Sequence, residues 1–322
     1  MLAVSLVAAV ILSGCGRKSS KDTVPAKKLT HAQSLELAEL KKNAYAGNAD
    51  AQFHLGVAYY DGTGAGKDRA EAAKWFRKAA DHGCAPAQCN LGMMYENGRG
   101  VDKDDTEAAR WYLKAAVQDI ADAQNNLGGM YLEGRGVNKD DVEATKWFRR
   151  AANQGIAMAQ NNLGMAYDFG KGVETNEAEA VQWYLKAAEQ GRPDAQYNLG
   201  CMYAYGKGVG KDEYEAVKWY RKAAEQGFAE AQSYLGYMYA NGLGVSKDES
   251  EAVKWYRKAA EQGIADAQYN LGCMYAKGLV VSKDESEAVK WYRKAAEQGH
   301  AEARHNLGAR YRNGKDVKPL HQ

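Results

Sequence analysis

The sequence lacks most of what catalysis, metal binding or nucleic-acid binding would require. No S-x-x-K occurs, so no serine is followed by a lysine one helical turn later. No H-E-x-x-H occurs, and the six histidines show no metal-binding spacing. His300 and His305 stand five apart, on different faces of a helix. "GKGVGK" falls short of the G-x-x-x-x-G-K-[ST] pattern of a phosphate loop. Lys plus Arg total 43 against 41 Asp plus Glu, a near balance that gives no overall pull toward nucleic acid or an anionic membrane. Prolines number four in 322 residues and are widely scattered. Cysteines number five: Cys15, Cys84, Cys89, Cys201 and Cys273. From these absences the expectation is no enzyme, no catalytic residue, no metal, no cofactor, no nucleic acid and no small-molecule substrate.

What is present is repetition. Trp75, Trp111, Trp147, Trp183, Trp219, Trp255 and Trp291 follow one another at a constant step of 36 residues. The glycine of an "LG" pair keeps the same step from Gly56 to Gly308, as does a tyrosine from Tyr59 to Tyr311. "EAVKWYRKAAEQG" occurs unchanged at Glu215–Gly227, Glu251–Gly263 and Glu287–Gly299. A fixed period of this length signals a repeat architecture in which each unit buries its apolar face against its neighbours. The repeated stretch is therefore expected to be structural and not a site.

Each unit reads as two helices. In "DAQYNLGCMYAYG", Ala195, Leu199 and Tyr203 recur at spacing four, an apolar helical face. Gly200 inside that helix costs about 1 kcal/mol relative to Ala, which predicts a neighbouring helix packed close on it. Gly206 and Gly208 permit positive φ in the following loop. Asp212 and Glu215 open the second helix with the D-x-x-E spacing of a capping box. Asn176 and Glu179 take that place in the fourth unit. Ala216, Trp219, Tyr220, Ala223 and Ala224 form a stripe predicted to be buried, with Lys218, Arg221, Lys222 and Glu225 toward water. Gly227 is placed to end the helix at C′. Asp119 departs from the pattern, standing where the other units have glycine.

Residues 1–14, "MLAVSLVAAVILSG", carry no charge and are too short for a spanning helix, which needs about 20 apolar residues. They read as a signal segment. Its end, Leu12-Ser13-Gly14-Cys15, resembles the bacterial lipobox, although no Lys or Arg precedes the apolar run. The resemblance implies cleavage before Cys15, acylation of that residue and attachment to a membrane. An ordinary cleaved signal with an incidental cysteine is the alternative. Residues 15–30 form the lipidated end and a lysine-rich flexible tether. The location implied is the bacterial cell envelope, at an outer membrane facing periplasm or surface.

The consensus A-x-A-Q…N-L-G…Y…G-x-G-V-x-K-D…E-A-x-K-W-Y-x-K-A-A-x-x-G resembles the Sel-1-like repeat, a relative of the tetratricopeptide repeat. The resemblance implies an all-α fold, a right-handed superhelical solenoid of antiparallel helix pairs whose first helices line a concave groove. It assigns 31–47 to an N-terminal capping helix, 48–314 to seven full repeats and a last half repeat, and 315–322 to a tail. Cysteine-rich relatives in this family carry a cysteine pair in each unit, bridging its two helices; here the pairs are absent, and Cys201 and Cys273 fall two units apart.

The family geometry implies a protein or peptide partner in that groove. Candidate contacts are Asn162, Phe169, Tyr197, Asn198, Tyr205, Tyr237, Tyr269 and Asn270. The tyrosines suit protein contacts, or they pack between adjacent first helices. Asparagines 90, 126, 162, 198, 270 and 306 form a ladder whose amides suit an extended peptide backbone, or they satisfy backbone groups of the adjoining helix. The expected function is a lipid-anchored interaction scaffold. The alternatives are an envelope glycan or peptidoglycan-binding protein and a β-lactamase-like hydrolase, the latter disfavoured by the missing S-x-x-K.

Overall fold

The computed structural model describes residues 31–279 and 283–312. Cys15, the signal segment, the tether and the 315–322 tail lie outside these residues. Among the described residues there are sixteen helices and no strand. The chain divides into two compact units at Thr175/Asn176. The first contains α1 (His31–Tyr45), α2 (Ala49–Asp61), α3 (Arg69–Asp81), α4 (Ala85–Asn97), α5 (Asp105–Ala116), α6 (Ala121–Glu133), α7 (Asp141–Asn153) and α8 (Ala157–Phe169). The second contains α9 (Glu177–Glu189), α10 (Pro193–Tyr205), α11 (Glu213–Glu225), α12 (Ala229–Asn241), α13 (Glu249–Glu261), α14 (Ala265–Lys277), α15 (Glu285–Glu297) and α16 (Ala301–Arg312). Within each unit every helix packs on the next in sequence.

The glycine inside each first helix does what its cost implied. A Cβ at Gly200 would stand 2.7 Å from the ring of Tyr220 on α11. The same approach joins Gly56 to Phe76, Gly92 to Tyr112, Gly128 to Phe148, Gly236 to Tyr256 and Gly272 to Tyr292. The aromatic ring thus lies where a side chain would otherwise keep the two helices apart. In the loop, Gly208 has φ +65°, and a Cβ there would meet the Glu177 carbonyl carbon at 2.3 Å. The loop after α10 therefore lies directly on the start of α9.

The second helices start and stop as their sequence directs, with one difference. Asp212 caps α11 by accepting from the N–H groups of Tyr214 and Glu215 at 3.0 Å each. The reciprocal half of the expected capping box is not made. The Asp212 N–H donates instead to the Tyr203 carbonyl at 2.9 Å, and Glu215 pairs with Lys218 Nζ at 2.6 Å. The first helix has taken the donor that a capping box would use. At the other end Gly227 has φ +91°, and the N–H of Phe228 returns to the Ala223 carbonyl. Asp119 holds the equivalent left-handed position with φ +62°, the one non-glycine residue of positive φ among those described. Its carboxylate accepts from Gln124 Nε2 at 3.2 Å.

Both terminal helices replace interior packing residues with polar ones. By the 36-residue register, Glu36 and Asn43 of α1 stand where α3 has the buried Ala72 and Ala79. Arg310 of α16 stands where α14 has Met274; it pairs with Glu285 at 3.0 Å and covers the Tyr292 ring. Such polar outer faces close a repeat array against further stacking.

Candidate functional site

The recurring surface of the repeated second helix is occupied by the protein's own structure. In α11, Lys218 pairs with Glu215, Lys222 Nζ sits 3.9 Å from the Trp219 ring centroid, and Arg221 donates to the Tyr239 hydroxyl at 2.7 Å. In α13, Lys254, Lys258 and Arg257 repeat the set with Glu251, Trp255 and Tyr275. The tryptophan with its lysine or arginine one turn later recurs from Trp75/Lys78 to Trp291/Lys294. These cations were expected only to face water. They do, and each also covers an aromatic ring or closes a hydrogen bond.

A second internal ladder was hidden in the sequence. Gln196, buried on α10, donates through Nε2 to the Ala188 carbonyl at 3.1 Å. Its Oε1 accepts from Gln226 Nε2 at 2.8 Å. In the second unit the pattern returns at Gln232 with Ala224 and Gln262, and at Gln268 with Ala260 and Gln298. In the first it occurs at Gln88 with Ala80 and Gln118, and at Gln124 with Ala116 and Gln154. The recurring Gln of A-x-A-Q and of A-E-Q-G was the available signal.

Apart from the buried Asn90 of α4, the described first-helix residues at the second, sixth, ninth and thirteenth positions are exposed or half-buried and form a stripe. On α10 this stripe is Asp194, Asn198, Cys201 and Tyr205; on α12 it is Glu230, Tyr234, Tyr237 and Asn241. Three candidate residues stand well out of the surface: Phe169 is 63% exposed, Tyr205 60% and Tyr237 48%. Tyr205 is still anchored, since its hydroxyl hydrogen-bonds Tyr234. That bond first, then partial burial, pushes its pKa up to about 12. Tyr197 and Tyr269 are half-buried and engaged in packing. The Tyr197 ring lies 5.4 Å from Phe228 and 5.7 Å from Tyr234. Tyr269 stacks on His300 at 4.5 Å. Asn162 donates to Asn125 Oδ1 at 3.2 Å, a bond between the first helices α8 and α6. Asn198 and Asn270 are half-buried on the same rung of α10 and α14.

The four described cysteines are free. Cys201 and Cys273 each accept from a tyrosine hydroxyl, Tyr220 and Tyr292, at 3.3 Å. Cys89 is buried, and burial raises its thiol pKa to about 12. Among the described residues, no group of three or more His, Cys, Asp or Glu is placed to hold a metal ion, and no helix is long and apolar enough to cross a membrane.

The Sel1 repeat model matches residues 49–84, 85–119, 121–156, 157–191, 193–228, 229–264, 265–300 and 301–322. Among solved structures, the chain is similar to a protective antigen present in uropathogenic Escherichia coli strains that displays an SLR fold. The two are 42% identical with a TM-score of 0.79, over 87% of this chain and 61% of that one. The chain thus spans about three-fifths of that antigen. It is also similar to a Sel1 repeat protein from Oxalobacter formigenes, at 38% identity and a TM-score of 0.68, over 85% of this chain and 79% of that one. No curated protein matches the sequence.

Proposed function

Since this chain belongs to the Sel1 repeat family, we propose that it is a lipid-anchored interaction scaffold of the bacterial envelope, holding a protein partner on the open stripe of its first helices. Sel1 repeat proteins are generally protein-interaction scaffolds. One observation carries the choice of surface. The repeated second helices direct their cations to their own rings and carboxylates and to a tyrosine hydroxyl of the following first helix, whereas the first-helix stripe varies from repeat to repeat and exposes Phe169, Tyr205 and Tyr237. A recognition surface needs variation and accessible rigid aromatics; an inter-repeat joint needs neither.

Anchoring rests on Leu12-Ser13-Gly14-Cys15. One acyl chain holds a protein at a membrane only marginally, and two or more hold it stably. Crosslinking from a photoreactive residue at Tyr205 in intact envelopes tests the reading. Capture of a protein that is lost when Tyr237 is changed to Ala supports it. Capture of a glycan, sensitive to muramidase, overturns it.

A further inference from the structure

The near balance of charge over the whole chain conceals a contrast between the two units. Helices α1, α3, α5 and α7 of the first carry eleven Lys and Arg against eight Asp and Glu. Their counterparts α9, α11, α13 and α15 in the second carry ten against twelve. One register position contributes most to the difference. By the 36-residue step, the last residue of these second-unit helices is always Glu: Glu189, Glu225, Glu261 and Glu297. In the first unit the same register holds Tyr45, Asp81, Val117 and Asn153.

Three cations on this side keep their charge. Lys78, Lys114 and Arg150 are exposed and lie 4.0, 3.9 and 4.7 Å from the ring centroids of Trp75, Trp111 and Trp147. A ring attracts a cation without neutralising it. Glu71, Glu107 and Glu143 pair instead with Lys74, Arg110 and Lys146. Exposed apolar side chains stand among these cations. On α5, Arg110, Leu113, Lys114 and Val117 are spaced so that they share one side of the helix. Leu113 is exposed where α3 and α7 have Arg77 and Arg149, and Val117 is 61% exposed. On α7, Val142 is exposed one turn before Lys146, and on α1 Tyr45 is 72% exposed.

We propose that the second-helix side of the first unit lies on a lipid surface bearing anionic headgroups. Lys78, Lys114 and Arg150 meet the phosphates. Tyr45, Leu113, Val117 and Val142 enter the boundary between headgroups and acyl chains. Basic and apolar side chains interspersed on one side are the composition that binds such a surface. Charge complementarity also sets the orientation. The first helices of this unit, α2, α4, α6 and α8, carry six acids and neither Lys nor Arg. A negative surface therefore attracts the second-helix side and repels the first-helix side, which leaves the open stripe to a partner. Sixteen residues lead from Cys15 to His31, a reach of about 50–60 Å at full extension. The proposal rests on the anchored reading for this proximity.

The test uses the full chain reconstituted into vesicles of phosphatidylcholine, alone or with about one-third phosphatidylglycerol. A photoreactive residue at 117 should capture lipid at least about fivefold more in the anionic vesicles, and raised salt should remove the excess. The same residue at 97, exposed at the end of α4 on the first-helix side, should capture little in either. Lys114→Glu with Arg150→Glu should cut capture from 117 several-fold. Lys222→Glu with Lys258→Glu removes the same kind of cation–ring contact from the second unit and should leave capture unchanged. Equal capture in the two vesicles, equal capture from 97 and 117, full capture after Lys114→Glu with Arg150→Glu, or an equal loss after Lys222→Glu with Lys258→Glu overturns the proposal. Flotation reads the anchor separately, because an acylated chain floats with both vesicles. A chain that floats without lipid capture from 117 keeps the anchor and overturns this inference. Capture from 117 in anionic vesicles, by a chain that does not float with neutral ones, supports this inference and overturns the anchor.

Discussion

Gln226 donates to Gln196 Oε1 at 2.8 Å across thirty residues, and Gln196 in turn donates to the Ala188 carbonyl at 3.1 Å. One buried amide thereby ties together the ends of two successive second helices, α9 and α11, through the first helix between them. Gln196→Leu preserves bulk and removes both bonds. It leaves the Ala188 carbonyl and Gln226 without this partner, a loss of about 1–3 kcal/mol. Urea denaturation should show that loss, and Gln182→Leu at an exposed site of α9 should not. An unchanged midpoint for Gln196→Leu would mean that the ladder is incidental.

Two glycines in equivalent helices should respond to alanine with opposite sign. At Gly200 the added methyl meets the Tyr220 ring at 2.7 Å, and overpacking of this kind costs about 1–3 kcal/mol. At Gly129 the methyl meets nothing, and the helix gains about 0.8–1 kcal/mol in propensity. Thermal melts of Gly200→Ala and Gly129→Ala should therefore move in opposite directions.

Much of this packing was legible in advance and some was not. The 36-residue step of the tryptophans and glycines identified the repeat, because a joint made many times must be written many times. Asp212 and Gly227 announced the ends of α11, since caps are local chemistry. Gln196 was passed over because an isolated glutamine reads as surface, and its two partners lie eight and thirty residues away. The missing half of the capping box had the same origin: Tyr203, on another helix, supplies the acceptor. Lys222 read as solvated because the sequence does not show that its Nζ folds back over Trp219. Of the candidate site, the exposed positions Tyr205 and Tyr237 were legible as unit-to-unit variation. The half-buried packing of Tyr197 and Tyr269 depends on partners that no spacing rule reveals.

Alkaline pH should weaken the fold. Burial, followed by the neighbouring Cys201, raises the Tyr220 hydroxyl well above its usual pKa of 10.0. Burial raises Cys89 from 9.0 to about 12. Groups raised in the folded state contribute their full stability below the unfolded pKa and lose it as pH rises toward the folded one. The contribution of these two groups should therefore be level below pH 9 and fall between about pH 9 and 12. Tyr220→Phe should flatten the upper part of that fall. A chain whose stability is independent of pH across this window would contradict the buried, protonated state of both groups.

Cys89 should be the least reactive of the described thiols. It is buried and stays protonated at neutral pH, whereas the thiolate is the reacting form. Iodoacetamide with mass-spectrometric mapping should label Cys201 and Cys273, which are half-buried, well before Cys89. Labelling of Cys89 first would place that helix in a different environment.

Partner capture by paired surface variants tests the division of labour between the two helices of the repeat most directly. One variant carries Tyr205→Ala and Tyr237→Ala on the open stripe; the other carries Lys218→Glu and Arg221→Glu on the repeated helix. Circular dichroism on both confirms that the fold is kept. The tyrosine variant is predicted to lose about 2 kcal/mol or more of binding to the crosslinked partner, while the charge-reversed variant binds as the parent does. Loss of the partner from the charge-reversed variant, with full retention by the tyrosine variant, would make the repeated helix the recognition surface and contradict the account.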